Sequence, residues 1–264
     1  MHTPGTNQYR INARIYHSAG IGREYANDLL MRAEAVALLS HQPAFAHKDV
    51  LDIGVGTGRT AIYLAPIANH YEAIDYSPVM VREFRDNLPG IPVTLADMRD
   101  LSQFADAGFD FVLASNNVFD AIGHEDRLQT LRECHRVLRP GGMLMFSSHN
   151  ADARGARRAL AIELSRNPVT QAQLLAHWCL ALVNHARLRH QQVFTDTYAI
   201  INDSAHDCGL LHYYIGPGHQ RQQLRDEGFE PLEVFDRFGA PVPPGAPTAH
   251  SQWLLYVARR LAVS

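Results

Sequence analysis

Apolar residues recur at helical spacing over residues 23–40, where Tyr25, Leu29, Leu30, Ala33, Val36 and Leu39 share a face. Short apolar runs then alternate with amphipathic ones. Residues 50–53, 71–75, 93–96, 109–115 and 143–148 read as strands, and 59–68, 78–87 and 125–138 as helices. Ser77 and Pro78 predict the start of the second of these helices, as N-cap and first helical residue. Pro140-Gly141-Gly142 stops the third helix and starts the fifth strand. This alternation predicts an α/β fold with a parallel, doubly wound sheet.

The pattern changes after Asn150. Residues 151–192 contain no good strand, and Leu174, Leu175, Trp178, Leu182 and Val183 recur at helical spacing. Two extended runs follow, 194–201 and 210–215, separated by the turn-forming Asn202-Asp203-Ser204. A helix at 218–227 precedes a hairpin of 232–238 and 253–258, joined by a proline-rich loop at 240–247. The chain divides accordingly into a helical cap (1–44), a ligand-binding core (45–150), a lid insertion (151–205), and a C-terminal part of the core with its hairpin (206–264).

Composition narrows the function. The 264 residues are 46% hydrophobic, enough for one core with an insertion. A formal net charge of -3 supplies no field to hold nucleic acid or an anionic membrane. No window approaches 18 uninterrupted apolar residues, and residues 1–10 are polar without a signal core. Cys134, Cys179 and Cys208 form no C-x-x-C, which fits a reduced, cytoplasmic compartment. Histidine is abundant at 15 residues. His177, His185, His190, His206, His212 and His219 show no H-E-x-x-H spacing, so they are expected to be surface and lid residues, and no metal is expected.

Residues 50–58 read Val-Leu-Asp-Ile-Gly-Val-Gly-Thr-Gly: a strand, an acid, and three glycines at alternate positions before a helix. Glycine lets a ligand approach the backbone, and the helix N-terminus offers free N–H groups. The dinucleotide pattern G-x-G-x-x-G needs a third glycine at 59, where Arg59 stands. An acid ahead of the first glycine suits a cationic ligand better than a pyrophosphate. Asp75 ends the second strand, where a carboxylate can accept both ribose hydroxyls of a nucleoside. Asp97-Met98 follows the third strand at the same sheet edge. Ser115-Asn116-Asn117-Val118-Phe119-Asp120 follows the fourth, with Asn117 read as a turn residue. Ser148-His149-Asn150 ends the fifth, where His149 could orient a nucleophile, accept its proton, or simply pack the lid.

Together with Leu138-Arg139-Pro140-Gly141-Gly142-Met143-Leu144, these motifs resemble class I S-adenosylmethionine-dependent methyltransferases across residues 45–150. The resemblance implies a Rossmann-like, doubly wound, seven-stranded sheet with a helical lid, and S-adenosyl-L-methionine as cofactor. It implies methyl transfer to an O or N atom of a small molecule. Asp52, Gly54, Gly56, Gly58, Asp75, Tyr76, Asp97, Met98 and Asn116 become the cofactor contacts. His149, Asp120 and Tyr16 become the catalytic candidates, with His124 a further one and Tyr25 an alternative to Tyr16 for closing over the cofactor. Arg154, Arg157 or Arg158 could meet an anionic substrate group. The fourth-strand motif is not the Asn-Pro-Pro-Tyr of enzymes that methylate base amino groups. The expected partner is a small-molecule acceptor, without nucleic acid or membrane, and a homodimer is allowed. RNA or protein methylation, and a non-catalytic scaffold that keeps the fold, are the alternatives.

Overall fold

The computed structural model describes residues 6–17, 29–155 and 164–262. Its core alternates as expected: β1 (Asp49–Ile53), β2 (His70–Asp75), β3 (Thr94–Leu95), β4 (Phe109–Ala114) and β5 (Leu138–Asn150). These five strands lie parallel in the order β3-β2-β1-β4-β5. The terminal hairpin, β9 (Phe229–Asp236) and β10 (Trp253–Arg260), adds to the far edge of β5 with β10 antiparallel. The result is the seven-stranded sheet β3-β2-β1-β4-β5-β10-β9, doubly wound by helices. Alternate residues of the strands feed separate cores. Leu51, Val112 and Ala114 join one with α5 (His124–Val137) and α7 (Pro217–Asp226). Val50, Phe111 and Leu113 join the other with α2 (Arg32–Ser40), α3 (Ala61–Leu64) and α4 (Pro78–Asn87). Burial on both faces explains why the strands read as continuous apolar runs.

Local chemistry sets the element ends. Ser77 caps α4 by accepting the Met80 N–H at 3.4 Å, with Pro78 as first residue. The helix expected over 23–40 begins at Arg32 among the described residues. The Met31 N–H is taken by the Glu34 carboxylate at 2.7 Å, and this cap starts the helix there. Leu29 and Leu39, assigned to its apolar face, are exposed. Tyr25, Arg157 and Arg158 lie outside the described residues. The fifth strand is longer than 143–148. The helix stops at Val137 and pairing with β4 starts at Leu138, so Pro140-Gly141-Gly142 forms an irregularity inside β5, where the register shifts.

The expected extended run 194–201 is two strands, β6 (Val193–Phe194) and β7 (Tyr198–Ile201), folded about Thr195, whose hydroxyl takes the N–H groups of Thr197 and Tyr198. Strand β7 pairs with β8 (His212–Ile215), and β8 pairs with the last two residues of β5. At His149 one edge of β5 is occupied by Trp253 of β10. So β8 must lie on the β4 side, beyond Ala114 where β4 ends. The segment 151–205 therefore divides: its end joins the sheet, while α6 (Pro168–Leu188) buries only Ala181. An antiparallel extension of the same sheet, β8-β7-β6, thus continues past the edge where β1–β4 finish. Helix α1 (Thr6–Tyr16) crosses the same edge. Its Gln8 and Asn12 amides reach the Asp120, Ala121 and Leu211 carbonyls at 2.8–3.0 Å, and Asn12 also accepts the Leu211 N–H.

Candidate active site

The loops after β1–β4 and helix α1 enclose a cavity with about 1030 Å³ of space, partly open to solvent. Gly54, Gly56, Asp75, Tyr76, Asp97, Met98, Asn116 and Tyr16 line it, as do Tyr9, Arg59, Ser115 and Asn117. This is the carboxyl edge of an open α/β sheet, where ligands of such folds bind.

The glycine loop is shaped by two demands. Gly56 has φ +59° and nothing within 4 Å of where a Cβ would stand, because that space is the cavity. Gly58 has φ +104°, and a Cβ would strike Leu88 Cδ1 at 2.3 Å, so it admits α4 to the loop rather than facing the cavity. Asp52 also stands behind the wall. It is 1% exposed and accepts hydrogen bonds from Thr60 Oγ1 (2.5 Å) and Tyr71 Oη (2.9 Å). Burial pushes its carboxyl up to about 6. Asp75 accepts the Gly56 N–H at 2.9 Å on Oδ2 and the Ser77 N–H at 2.8 Å on Oδ1, and burial pushes it up to about 6 as well. The Tyr76 N–H is a third backbone donor, which leaves acceptor capacity on the carboxylate for a ligand.

Asp97 faces the cavity while paired with Arg99, whose Nη2 lies 2.7 Å from Oδ2. The Arg99 guanidinium covers the Tyr9 ring at 3.9 Å. Arg59 fills the place of a third glycine with a clamp: Nη2 donates to Glu34 Oε1 (2.9 Å) and Ser115 Oγ (2.6 Å). Glu34 is 1% exposed, so this ion pair ties α2 to the glycine loop. Tyr16 sits at the end of α1, edge-on to Tyr76, and its carbonyl accepts the Ser77 hydroxyl at 2.7 Å. The sequence reading missed Tyr9, Glu34, Arg59 and Ser115; the departure at Arg59 was the available signal.

Asn116 and Asn117 are consecutive left-handed residues, φ 54° and 58°. Asparagine tolerates this conformation, and the pair turns the chain under the cavity. Asp120 and His149 lie just behind. Asp120 is fully buried and meets Arg127 Nη1 (2.6 Å), Ser148 Oγ (2.7 Å), and the backbone N (2.6 Å) and Nδ1 (2.7 Å) of His149. Burial alone would raise its pKa, but the Arg127 charge and the His149 bonds outweigh it and hold the carboxylate ionised. An ionised Asp120 fixes the proton on Nδ1 and leaves Nε2 as the acceptor. That Nε2 is 3.4 Å from the Asn117 amide nitrogen, one residue from the cavity. Neither Asp120 nor His149 lines the cavity; Asp120 positions His149 behind the Asn117 wall. His124 is placed apart: it stacks on Tyr198 at 4.2 Å and bonds the Tyr213 hydroxyl. Arg154 is exposed.

Residues 50–142 match the family described as a methyltransferase domain. Over 109 residues the chain is 36% identical to the Mycobacterium tuberculosis "Probable S-adenosylmethionine-dependent methyltransferase", covering 41% of this chain and 38% of that one. It thus spans under two-fifths of that relative's length. The malonyl-[acyl-carrier protein] O-methyltransferase of Salmonella typhimurium is 28% identical over 72% of this chain and 73% of its own. The crystal structure of the Burkholderia thailandensis 1,6-didemethyltoxoflavin-N1-methyltransferase, with bound 1,6-didemethyltoxoflavin and S-adenosylhomocysteine, superposes with a TM-score of 0.61. Identity there is 17%, over 99% of this chain and 92% of that one, and what is shared is the fold. Fold, glycine loop and family match define the class. The chain carries a class I S-adenosylmethionine-dependent methyltransferase domain. Among the described residues no helix is long and apolar enough to cross a membrane.

Proposed function

We propose that this protein transfers the methyl group of S-adenosylmethionine to an oxygen or nitrogen of a small-molecule acceptor. The cavity carries the reading. It gathers the open wall at Gly56, the Asp75 carboxylate and the Asp97-Met98 pair, and the Asp120–His149 dyad backs its Asn117 wall. Those residues fit the cofactor's chemistry. Asp75 faces the two ribose hydroxyls, Asp97 and Met98 stand where the adenine edge would lie, and Arg59, held by Glu34, fixes the glycine loop beside the methionine end. The cofactor supplies a methyl on a cationic sulfur that leaves as a neutral thioether. The protein's task is then alignment and exclusion of water. His149 holds the acceptor, and its Nε2 takes a proton where the acceptor carries one. Tyr16 and Tyr9, both on α1, close the cavity from above. A relative named for O-methylation and a structural neighbour named for N1-methylation support oxygen or nitrogen as the target.

Isothermal titration with S-adenosylhomocysteine tests the donor half. The wild type should bind one ligand per chain. Asp75→Ala should bind roughly 10- to 150-fold more weakly, the loss of hydrogen bonds to a charged acceptor worth about 1.5–3 kcal/mol. A folded wild type that does not bind overturns the reading in favour of a scaffold.

A further inference from the structure

Behind His149 lies a second cluster that methyl transfer does not need. Among the described residues, His149, Asp203 and His212 each offer one ligand atom, and these atoms lie within 4.8 Å of one another. They come from three segments: the end of β5, the loop after β7, and the start of β8. The register brings them together. His149 pairs with Tyr214, and His212 stands two residues earlier on the same face of β8. The His149 and His212 rings lie 5.0 Å apart. His212 and Tyr214 both hydrogen-bond Asp203 Oδ2, at 2.7 and 2.8 Å.

We propose that His149, Asp203 and His212 bind one divalent transition-metal ion beside the cavity, behind its Asn117 wall. Two imidazoles and a carboxylate are a donor set for zinc and its neighbours, with positions left open for an exogenous ligand. Three further observations fit. His149 already has the supporting contact of a metal-ligating histidine: its Nδ1 is held by a buried carboxylate, Asp120, and its Nε2 is left outward. The bond between His212 and Asp203 joins two ligand-type groups through a proton that an ion can replace. The Asn117 amide stands over His149, with its Oδ1 buried and without a partner. Turning that amide over places an oxygen ligand beside Nε2. Tetrahedral ligands about 2.1 Å from an ion lie about 3.4 Å apart, so a pair separated by the full 4.8 Å must close by about 1.4 Å.

On binding, the ion forms bonds to the two imidazole nitrogens and the carboxylate oxygen, and the proton between His212 Nδ1 and Asp203 is displaced, to Nε2 of a neutral ring or to solvent from an imidazolium. No electron moves. Nε2 of His149 is then a ligand, and the ion takes over the lowering of the acceptor's pKa. The acceptor class becomes one whose oxygen can join the ion. That consequence rests on the methyl-transfer reading; the binding itself does not.

The test uses the full chain, stripped with EDTA and desalted, then titrated with zinc chloride by calorimetry and with cobalt(II) by visible absorption. One ion per chain is expected. His212→Asn and Asp203→Asn should each lower affinity at least 100-fold, while His177→Ala, at an exposed histidine paired with Asp207, should leave it unchanged. No stoichiometric binding by the folded wild type, or unaltered binding in both site variants, overturns the proposal. If neither site variant folds, X-ray absorption of the cobalt-loaded wild type decides: two imidazole ligands support the site, and one or none overturn it. S-adenosylhomocysteine titrated separately distinguishes failure of the donor reading from failure of this one.

Discussion

Asp75 is the residue whose chemistry is most exposed to measurement. Burial pushes its carboxyl up to about 6, against an ordinary 3.8. A ribose diol donates to the ionised form, so acid should compete with the ligand. Affinity for S-adenosylhomocysteine should fall about tenfold between pH 7.5 and 5, with the midpoint near 6. Titrations at several pH values check this, and Asp75→Asn should flatten the profile. A wild-type profile that stays flat would detach Asp75 from the ligand. Asp52 titrates in the same window but lies behind the wall, so Asp52→Asn should leave the slope in place. The reading of Asp52 as a direct contact came from its place before the glycines. The contacts that bury it, Thr60 and Tyr71, are 8 and 19 residues away and leave no local pattern.

At the scale of elements, helix α1 controls the roof of the cavity with Ile11 packed on Ile200, Leu211, Tyr213 and Ile215 and with two side-chain amides as anchors. Gln8 and Asn12 anchor it by amide bonds to peptide groups more than 100 residues away. Asn12→Ala would leave the Ala121 and Leu211 carbonyls and the Leu211 N–H short of a partner, at a cost of about 1–3 kcal/mol. Hydrogen exchange should then quicken in α1 and around Leu211 while β1, β4 and β5 keep their protection. Uniform loss across the molecule would show that α1 belongs to the folding core instead. The same contrast explains what was legible beforehand. Helix α4 was read to the residue because Ser77 and Pro78 mark its start locally. Strands β1, β4 and the body of β5 were read because burial on both faces leaves apolar runs, whereas β3 is a two-residue exposed edge strand. Helix α1, the split of 194–201 into β6 and β7, and the meeting of His149 with Asp203 and His212 depend on long-range pairing, which no short window of sequence encodes.

For the molecule as a whole, Asp52 and Asp75 make the empty protein answer to acid in an unusual sense. Both have folded pKa values raised above the unfolded one, so the folded state binds the extra protons. Their contribution to stability is complete below the unfolded value near 3.8 and is lost as pH rises through about 6. Moving from pH 7.5 to 5.5 should therefore stabilise the ligand-free protein by roughly 1 kcal/mol per group, and thermal melts at the two pH values measure it. Asp75→Asn should remove about half of that gain; a wild-type melting point that falls on acidification would contradict it. The long strand β5 has a wider consequence. Its body belongs to the sheet that carries the glycine loop, Asp75 and Asp97, while its last two residues, His149 and Asn150, hold β8 and through it β7 and β6. On the proposed reading, the donor half and the stretch behind the acceptor are thus supplied by separately encoded segments. Lineages that keep the first stretch and rewrite the second can change what is methylated while the donor half is inherited intact.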